Sequence, residues 1–219
     1  MSFWKWYAKA PLAMRATVAF TITAACLVLP SFFDTAVYHA AYHKNIYNLD
    51  WARLLRLQGW LPTWWIVTLS MWLVERERDA ALAKRRAWLL FWSPAVAGIL
   101  CELLKLVIRR ERPNVAAGEW VFRPFSERPW STAGLATPSS HTIVAFGAAT
   151  MMARLFPRAR WVFYVLAAGC AVTRVLDRAH YLSDVTFGAI LGWAVAWGLW
   201  IEWGPRPKAP PPLDASVPA

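Results

Sequence analysis

The chain has 219 residues, of which 58% are hydrophobic, and it carries a formal net charge of +11. A soluble domain is about 45–50% apolar, so this composition excludes an ordinary soluble globular protein and indicates a membrane protein. The charge does not indicate a nucleic-acid-binding protein, because the basic residues fall in short breaks between apolar runs. Cys26, Cys101 and Cys170 lie inside apolar runs without metal or redox spacing, and we expect them to be structural.

The N-terminal segment Met1–Arg15 is short and basic, and the apolar run Ala16–Phe33 follows it. This run is the first candidate transmembrane span. A signal peptide is the alternative, but the lack of a clean small-residue cleavage site favours an uncleaved span. The polar and aromatic segment Asp34–Gly59 predicts a helix along the membrane surface. It contains His39 and His43, four residues apart, but no acidic or Cys partner stands at a supporting position, so we expect no metal site.

Five further apolar runs predict the remaining spans. These are Trp60–Val74, Ala87–Leu104, Thr142–Phe156, Trp161–Val172 and Val185–Trp203. Between them, the charge run Glu75–Arg86 is interpreted as a solvated connector and Asn114–Thr137 as a loop whose aromatic residues can enter the membrane interface. The sequence thus predicts an all-α fold, a polytopic membrane helical bundle with about six transmembrane helices in residues 1–204, followed by a disordered Pro/Ala-rich tail at 205–219.

The positions of the Lys and Arg residues predict the orientation of the chain. With the N-terminus in the cytoplasm, every cytoplasmic loop between spans is short and basic. All the polar residues that suggest chemistry then lie on the opposite face. We therefore expect an integral membrane protein with both termini cytoplasmic and these polar residues at the outer face of the membrane.

The polar residues between the last two spans have the pattern of a catalytic site. His180 and Asp184 are four residues apart, which places them on one face if a helix begins near Ala179. A carboxylate one turn from an imidazole can hold the ring in one tautomer and raise the basicity of its other nitrogen. Arg174 adds a planar fork of donors that suits a phosphate-like anion.

Two further polar groups precede this one. Lys105 and Arg112 are seven residues apart and so share a helix face, and the proline after Arg112 ends that helix. Ser139, Ser140 and His141 stand where the fourth span begins, where serine hydroxyls can cap the helix and its first N–H groups favour an anion. Together the three groups form a cationic cage that suits a phosphoryl group in its transition state. No cluster of carboxylates is available for a metal ion, so neither a metal nor a cofactor is expected.

For any single charged residue, the alternative is a side chain at the end of a span that reaches out to the interface. This interpretation is adopted for five residues near the motifs: Arg109, Arg110, Glu111, Asp177 and Arg178. The combination of cations, hydroxyls, imidazoles and a carboxylate is harder to explain in this way, because a charge held deeper in the bilayer costs roughly 2.5–3.5 kcal/mol.

In chain order, the three groups resemble the signature of a known family. Lys105-x6-Arg112-Pro113, Pro138-Ser139-Ser140-His141 and Arg174-x5-His180-x3-Asp184 are similar to the three motifs of the type 2 phosphatidic acid phosphatase and vanadium haloperoxidase superfamily, in its membrane lipid phosphatase branch. The motifs cover Lys105 to Asp184, and the span layout extends the resemblance over most of the chain. Two residues differ from the pattern, because the family usually has Gly where Ser140 stands and Ser where Thr173 stands.

The resemblance implies a role for each motif residue. His180 would be the nucleophile that forms a phosphohistidine, Asp184 would orient it, and His141 would be the general acid for the leaving alcohol. The substrate phosphate would be bound by Lys105, Arg112, Ser139, Ser140 and Arg174. The resemblance also implies catalysis without a metal. It further implies an integral protein of a bacterial inner membrane, with the active site facing the periplasm or the outside and both termini cytoplasmic.

The expected function is that of a membrane phosphatase acting on a phosphorylated lipid, with the bilayer and the lipid as its partners and no nucleic acid. Phosphatidic acid, phosphatidylglycerol phosphate, an isoprenyl pyrophosphate and lipid A are the candidate substrates. Two alternatives remain open: a lipid phosphotransferase that uses the same intermediate, and a non-catalytic protein that binds lipid phosphate. A vanadate-dependent peroxidase is disfavoured, because those relatives are soluble. The oligomeric state cannot be predicted from the sequence.

Overall fold

The computed structural model of the protein describes residues 11–205, and within this range the chain is almost entirely helical. Its helices are α1 Leu12–Ser31, α2 Asp34–Ala40, α3 Asp50–Leu57, α4 Leu61–Glu75, α5 Ala80–Ile108, α6 Ser140–Leu155, α7 Arg160–Leu176 and α8 Leu182–Trp203. Residues 11–205 contain no β-strand, so the all-α prediction is confirmed for this range. The predicted disordered tail, apart from its first residue, lies outside the described residues.

Helix α6 forms the centre of the bundle. Nearly all of its residues from Thr142 to Ala153 are buried, and it packs against α5, α7 and α8. Small residues allow these helices to approach closely. At Gly192 of α8, an added Cβ would lie 2.9 Å from the backbone nitrogen of Gly147, so the two backbones touch there. The apolar core around α6 includes Leu89, Leu90, Ile143 and Met151.

Three helical segments in the described part of the chain are long and apolar enough to cross a membrane: Ala80–Ile108, Pro157–Leu176 and Leu182–Trp203. These correspond to three of the predicted spans, and they support an integral membrane protein. The other three predicted spans correspond to α1, α4 and α6, and their insertion in the bilayer stays a prediction.

The bundle has two ends that differ in chemistry. At one end, the first turns of α5 lie near the last residues of α6 and α8. Arg86 Nη2 donates to the Leu155 carbonyl at 3.3 Å, and Arg85 Nε donates to the Trp203 carbonyl at 2.7 Å. At the opposite end, the last turn of α5, the first turn of α6 and the α7–α8 junction meet. All the predicted site residues lie at this second end.

Most of Glu75–Arg86 is exposed, as the prediction of a solvated segment requires, but its second half is not a connector, because α5 begins at Ala80. The Asp79 carboxylate accepts a hydrogen bond from the Leu82 N–H at 2.9 Å and so provides the N-cap of α5. This cap therefore allows α5 to begin in a charged stretch that the hydrophobic pattern did not assign to the helix.

Candidate active site

The end of α5 separates Lys105 from Arg112. The helix stops at Ile108, because Arg109 adopts a left-handed backbone conformation with φ 58°. Arg112 therefore lies in the following loop, where its N–H donates to the Gly134 carbonyl at 3.1 Å. The prediction that Lys105 and Arg112 share a helix face is wrong, although both residues reach the same end of the bundle.

Two buried arginines hold the loop between α5 and α6. Arg109 is 1% exposed, and its guanidinium donates to the carbonyls of Arg123, Pro124, Glu127 and Pro129 at 2.6–3.2 Å. Arg123 lies 3.1 Å from the Glu111 carboxylate and donates to the Ser131 and Ala133 carbonyls. The interpretation of Arg109 and Glu111 as ordinary interface charge is therefore wrong, because both organise the loop that carries Arg112.

The Lys105 side chain is buried and contacts two other side chains. Its ammonium lies 3.1 Å from Glu102 Oε1 and donates a short hydrogen bond to Ser140 Oγ, which in turn donates to Glu102 at 2.9 Å. An ammonium group has three donors, so one remains for a phosphoryl oxygen. Glu102 could not be predicted as a site residue, because it belongs to no motif and is recognisable only by these contacts.

The first turn of α6 keeps its backbone donors for an anion. Ser139 is the N-cap, but its hydroxyl accepts from Thr142 Oγ1 at 3.1 Å, and the Ser140 hydroxyl faces Lys105 and Glu102. The prediction that these serines cap the helix is therefore wrong. The first N–H groups of any α-helix have no carbonyl partner within it, and this positive end favours an anion.

His180 and Asp184 lie together, although not on one helix. Helix α8 begins at Leu182, so the prediction of a helix start near Ala179 is wrong. Asp184 Oδ2 accepts from the Tyr181 N–H at 2.8 Å as part of a capping box, and it lies 3.8 Å from His180 Nδ1. Both side chains of the pair are buried.

The surroundings of His180 keep its imidazole neutral. The pKa of His180 is lowered to about 4, chiefly by burial and also by the charges of Arg174 and Arg112, although Asp184 acts in the opposite direction. A neutral ring retains a lone pair at one nitrogen, and a nucleophile or base requires that lone pair.

Arg174 is buried near the end of α7, beside a tyrosine and a carboxylate. Its Nη1 donates to the Tyr47 hydroxyl at 2.7 Å and lies 3.6 Å from Asp177 Oδ2, while its Nε has no hydrogen-bond partner among residues 11–205. Asp177 thus belongs to the site, and its interpretation as interface charge is wrong. Burial, followed by the charge of Arg174, lowers the pKa of Arg112. Two neighbouring cations of this kind are stabilised when an anion binds between them.

Arg110 supports the His–Asp pair, although the sequence did not single it out. It is 4% exposed; Nη1 lies 3.3 Å from Asp184 Oδ1 and Nη2 lies 2.9 Å from Asp34 Oδ2. The guanidinium also lies over the rings of Tyr181 and Trp120, with 3.8 and 4.2 Å to the ring centroids. Its interpretation as interface charge is wrong, because Arg110 neutralises two buried carboxylates.

All eight predicted site residues lie at this end of the bundle: Lys105, Arg112, Ser139, Ser140, His141, Arg174, His180 and Asp184. His141 is in the first turn of α6, within electrostatic range of Arg174 and His180. No group of three or more His, Cys, Asp or Glu side chains in the described residues could hold a metal ion. Such an arrangement can bind a tetrahedral anion, attack it with one imidazole and transfer a proton with the other.

Comparisons with known proteins agree with this geometry. A family model described as PAP2 superfamily matches residues 86–207. The chain is 33% identical over 199 residues to a lipid A 1-phosphatase of Rhizobium etli, an alignment that covers 83% of this chain and 82% of the relative. It is 39% identical over 127 residues to a lipid A 1-phosphatase of Rhizobium johnstonii, covering 55% of this chain and 50% of the relative.

A more distant relative has a different named substrate. The chain is 33% identical over 110 residues to a decaprenylphosphoryl-5-phosphoribose phosphatase of Mycobacterium tuberculosis, covering 50% of this chain and 57% of the relative. The chain therefore spans only about half the length of this protein and of the Rhizobium johnstonii relative. No solved structure matches the chain.

Proposed function

Because the chain belongs to the PAP2 superfamily, as its family-model match and the Rhizobium etli relative establish, we propose that it is a membrane phosphatase that removes phosphate from a phosphorylated lipid. The observation that carries this proposal is the buried His180, which is kept neutral beside Asp184 and close to the charges of Arg174 and Arg112. A neutral imidazole among cations suits attack on a dianionic phosphoryl group, since the cations offset the charge of the approaching substrate.

The reaction proceeds in two steps through a phosphohistidine. The free nitrogen of His180 attacks phosphorus, the bond to the leaving oxygen breaks, and His141 gives that oxygen a proton. Water then attacks phosphorus, giving a proton back to His141, and the bond to His180 breaks to release phosphate. Asp184 stabilises the positive imidazole ring during both steps, and its 3.8 Å distance from Nδ1 shortens as charge develops.

The cations and the α6 terminus bind the non-bridging phosphoryl oxygens. Lys105 contributes its third N–H donor and Arg174 contributes its buried Nε. Arg112 contributes its guanidinium from the loop that follows α5. These donors are held in place before substrate arrives, so they stabilise the spread charge of the transition state without reorganising. The reaction needs no metal ion to neutralise that charge.

The site end of the bundle faces the outside of the cell in this proposal, and α1, α4 and α6 complete six spans. Short loops rich in Lys and Arg occupy the other end, as expected for the cytoplasmic side. The substrate phosphate then lies at the outer membrane–water interface with its acyl chains in the bilayer. A lipid A that carries a 1-phosphate is the first substrate to test, because two Rhizobium relatives are named for that activity.

The decisive experiment measures inorganic phosphate released by the purified protein in detergent with a chelator present. The panel contains lipid A, phosphatidic acid, phosphatidylglycerol phosphate, an isoprenyl pyrophosphate and a soluble monoester, with His180→Ala as the control. We expect chelator-resistant release from at least one lipid and a ³²P-labelled intermediate that is acid-labile and absent from His180→Ala. Release that survives in His180→Ala would refute the proposed nucleophile, and no release from any lipid would refute the phosphatase.

A further inference from the structure

The short helix α3 packs directly against the site, on the side of His141. An added Cβ at Gly59, just beyond α3, would lie 2.5 Å from the Cβ of His141, so the chain passes in contact with that residue. Cys170 Sγ of α7 lies 3.9 Å from the carbonyls of both Arg56 and His141. Helix α3, in the segment predicted to lie along the membrane surface, therefore also borders the site, and its side chains can reach a bound substrate.

Arg56 of α3 has no carboxylate partner among residues 11–205. Its guanidinium lies 4.5 Å from the centroid of the Tyr47 ring, and Arg174 lies over the same ring at 5.7 Å. Arg56 and the motif residue Arg174 thus both lie near the same aromatic ring. Arg53, one turn earlier, differs because it lies 3.4 Å from the Asp50 carboxylate and is held by two backbone carbonyls.

A cavity of about 420 Å³ lies beside Arg56 and is lined by Arg53, Arg56, Leu57, Trp60 and His141. In the proposed reaction His141 protonates the leaving oxygen, so the cavity that it lines holds the part of the substrate behind that oxygen. The three motif cations do not line this cavity. The leaving-group side therefore has a cation of its own.

Arg56 differs from two of the motif cations, because no carboxylate lies beside it among residues 11–205. Lys105 lies 3.1 Å from Glu102 and Arg174 lies 3.6 Å from Asp177, so part of their charge is already offset before a substrate binds. The pKa of Arg112 is lowered chiefly by burial and by Arg174, and also by Arg56, so Arg56 adds repulsion to the unliganded site. A further anion in the cavity would relieve that repulsion.

We propose that Arg56 is a specificity-determining residue that binds a second phosphate, carried by the leaving-group part of the substrate. The enzyme accordingly prefers phosphorylated lipids whose leaving group is itself anionic, of which a lipid diphosphate is the simplest. This inference rests on the proposed function, because the role of His141 identifies the leaving-group side.

Binding tests the inference without relying on turnover. Full-length His180→Ala protein in detergent is titrated by calorimetry with inorganic phosphate and with methylenediphosphonate, a diphosphate analogue that cannot be hydrolysed. We expect methylenediphosphonate to bind at least tenfold more tightly than phosphate. Adding Arg56→Gln should remove most of this advantage while changing the Kd for phosphate less than threefold, and Arg56→Lys should retain part of it.

The outcomes separate the inference from the proposed function. Equal weakening of both ligands by Arg56→Gln, or no weakening of either, overturns the assignment of Arg56 and leaves the phosphatase intact. If phosphate does not bind at all, the proposed phosphoryl site is overturned. If methylenediphosphonate binds less than tenfold more tightly than phosphate while Arg56 is intact, the second anion site is overturned. Arg158→Gln, at the opposite end of the bundle, is the matched control and should change neither Kd.

A kinetic comparison gives the same inference a second test. Diacylglycerol pyrophosphate and phosphatidic acid share their acyl chains, but only the first has an anionic leaving group. In the protein with His180 intact, Arg56→Gln should lower kcat/KM at least tenfold for diacylglycerol pyrophosphate and less than threefold for phosphatidic acid. Equal losses for both lipids, with unchanged thermal stability, would contradict the proposed specificity.

Discussion

Burial of His180 among cations has a measurable consequence for its ionisation. Burial lowers its pKa from 6.5 to about 4, so between these values the unfolded chain binds a proton that the folded protein does not. The stability contributed by the neutral ring is complete above about pH 6.5 and is lost as pH falls towards 4, by at most about 1.4 kcal/mol per pH unit.

An NMR titration of protein labelled with ¹³C-histidine tests this prediction. The resonance that His180→Ala removes should titrate with a midpoint near pH 4, and the thermal midpoint of the wild type should fall more steeply below pH 6.5 than that of His180→Ala. A midpoint near 6.5 would mean that the ring is solvated, and the nucleophile would then be half protonated near neutral pH.

Arg110 gives a second prediction at the scale of single residues, because two buried carboxylates depend on it. Replacing Arg110 with Met leaves Asp34 and Asp184 buried without their cation, which typically costs about 3–5 kcal/mol. The apparent Tm in detergent should fall markedly. Arg110→Lys should restore only part of the loss, because an ammonium group lacks the planar fork that bridges two carboxylates.

The exposed Arg158 provides the control for this substitution, since Arg158→Met removes a solvated charge at the other end of the bundle and should leave the Tm unchanged. Arg110 acts by positioning Asp184, so Arg110→Lys should also shift the pH at which His180 titrates. An unchanged Tm in Arg110→Met would show that the carboxylates do not need this cation.

Motif residues and supporting residues differed in how well the sequence revealed them. The eight motif residues could be proposed from the sequence because their types and spacing form a pattern within each short segment, and the structure places them at one end of the bundle. Arg110 could not, because its partner Asp34 is 76 positions away and neither residue belongs to a motif. The supporting roles of Arg109 and Glu102 could not be predicted either, because a charged residue at the end of a span that packs inside the protein has the same sequence pattern as one that faces solvent.

At the scale of helices, hydrophobic runs located the elements but not their ends. Helix α5 stops at Ile108 because Arg109 turns the chain with a left-handed conformation. Helix α8 starts at Leu182 rather than near Ala179, because Tyr181 and Asp184 form its capping box. Helix ends depend on capping contacts of single residues, and the hydrophobic period carries no information about them.

The contact between α6 and α8 yields a prediction about packing. An added Cβ at Gly192 would overlap the Ile143 carbonyl and lie 2.9 Å from the Gly147 nitrogen, and backbone atoms cannot move aside as a flexible side chain can. Gly192→Ala should therefore lower stability by roughly 1–3 kcal/mol or more through overpacking. Thermal unfolding in detergent, followed by fluorescence, measures the loss.

Gly198 on the same helix is the matched control. Apart from the local backbone of α8 itself, no atom of the described residues lies within 4 Å of a Cβ added there, so Gly198→Ala should be neutral or should stabilise by up to about 1 kcal/mol through helix propensity. Equal effects of the two substitutions would mean that α6 and α8 do not approach as closely as the structure has them.

At the scale of the whole molecule, the proposed catalytic groups and the clusters of basic loop residues lie at opposite ends of the bundle. Helices α5, α7 and α8 carry their site residues at one end, while the α4–α5 and α6–α7 connections lie at the other. Large apolar side chains on α5, including Ile99, Leu103 and Val107, are 57–69% exposed on the outside of the bundle, as expected for a surface that contacts lipid. A phosphorylated lipid in the surrounding bilayer can therefore present its head group to the site while its chains stay in the membrane.

The orientation of this molecule in the membrane is testable by cysteine labelling. In a background with Cys26, Cys101 and Cys170 replaced by Ala, Ser126→Cys adds a thiol to the exposed loop at the site end, and Glu77→Cys adds one at the basic end. Because short basic loops stay in the cytoplasm, a membrane-impermeant maleimide should label Ser126→Cys in intact cells and Glu77→Cys only after the membrane is opened. The reverse pattern would place the site in the cytoplasm, and the substrate would then have to come from the inner leaflet.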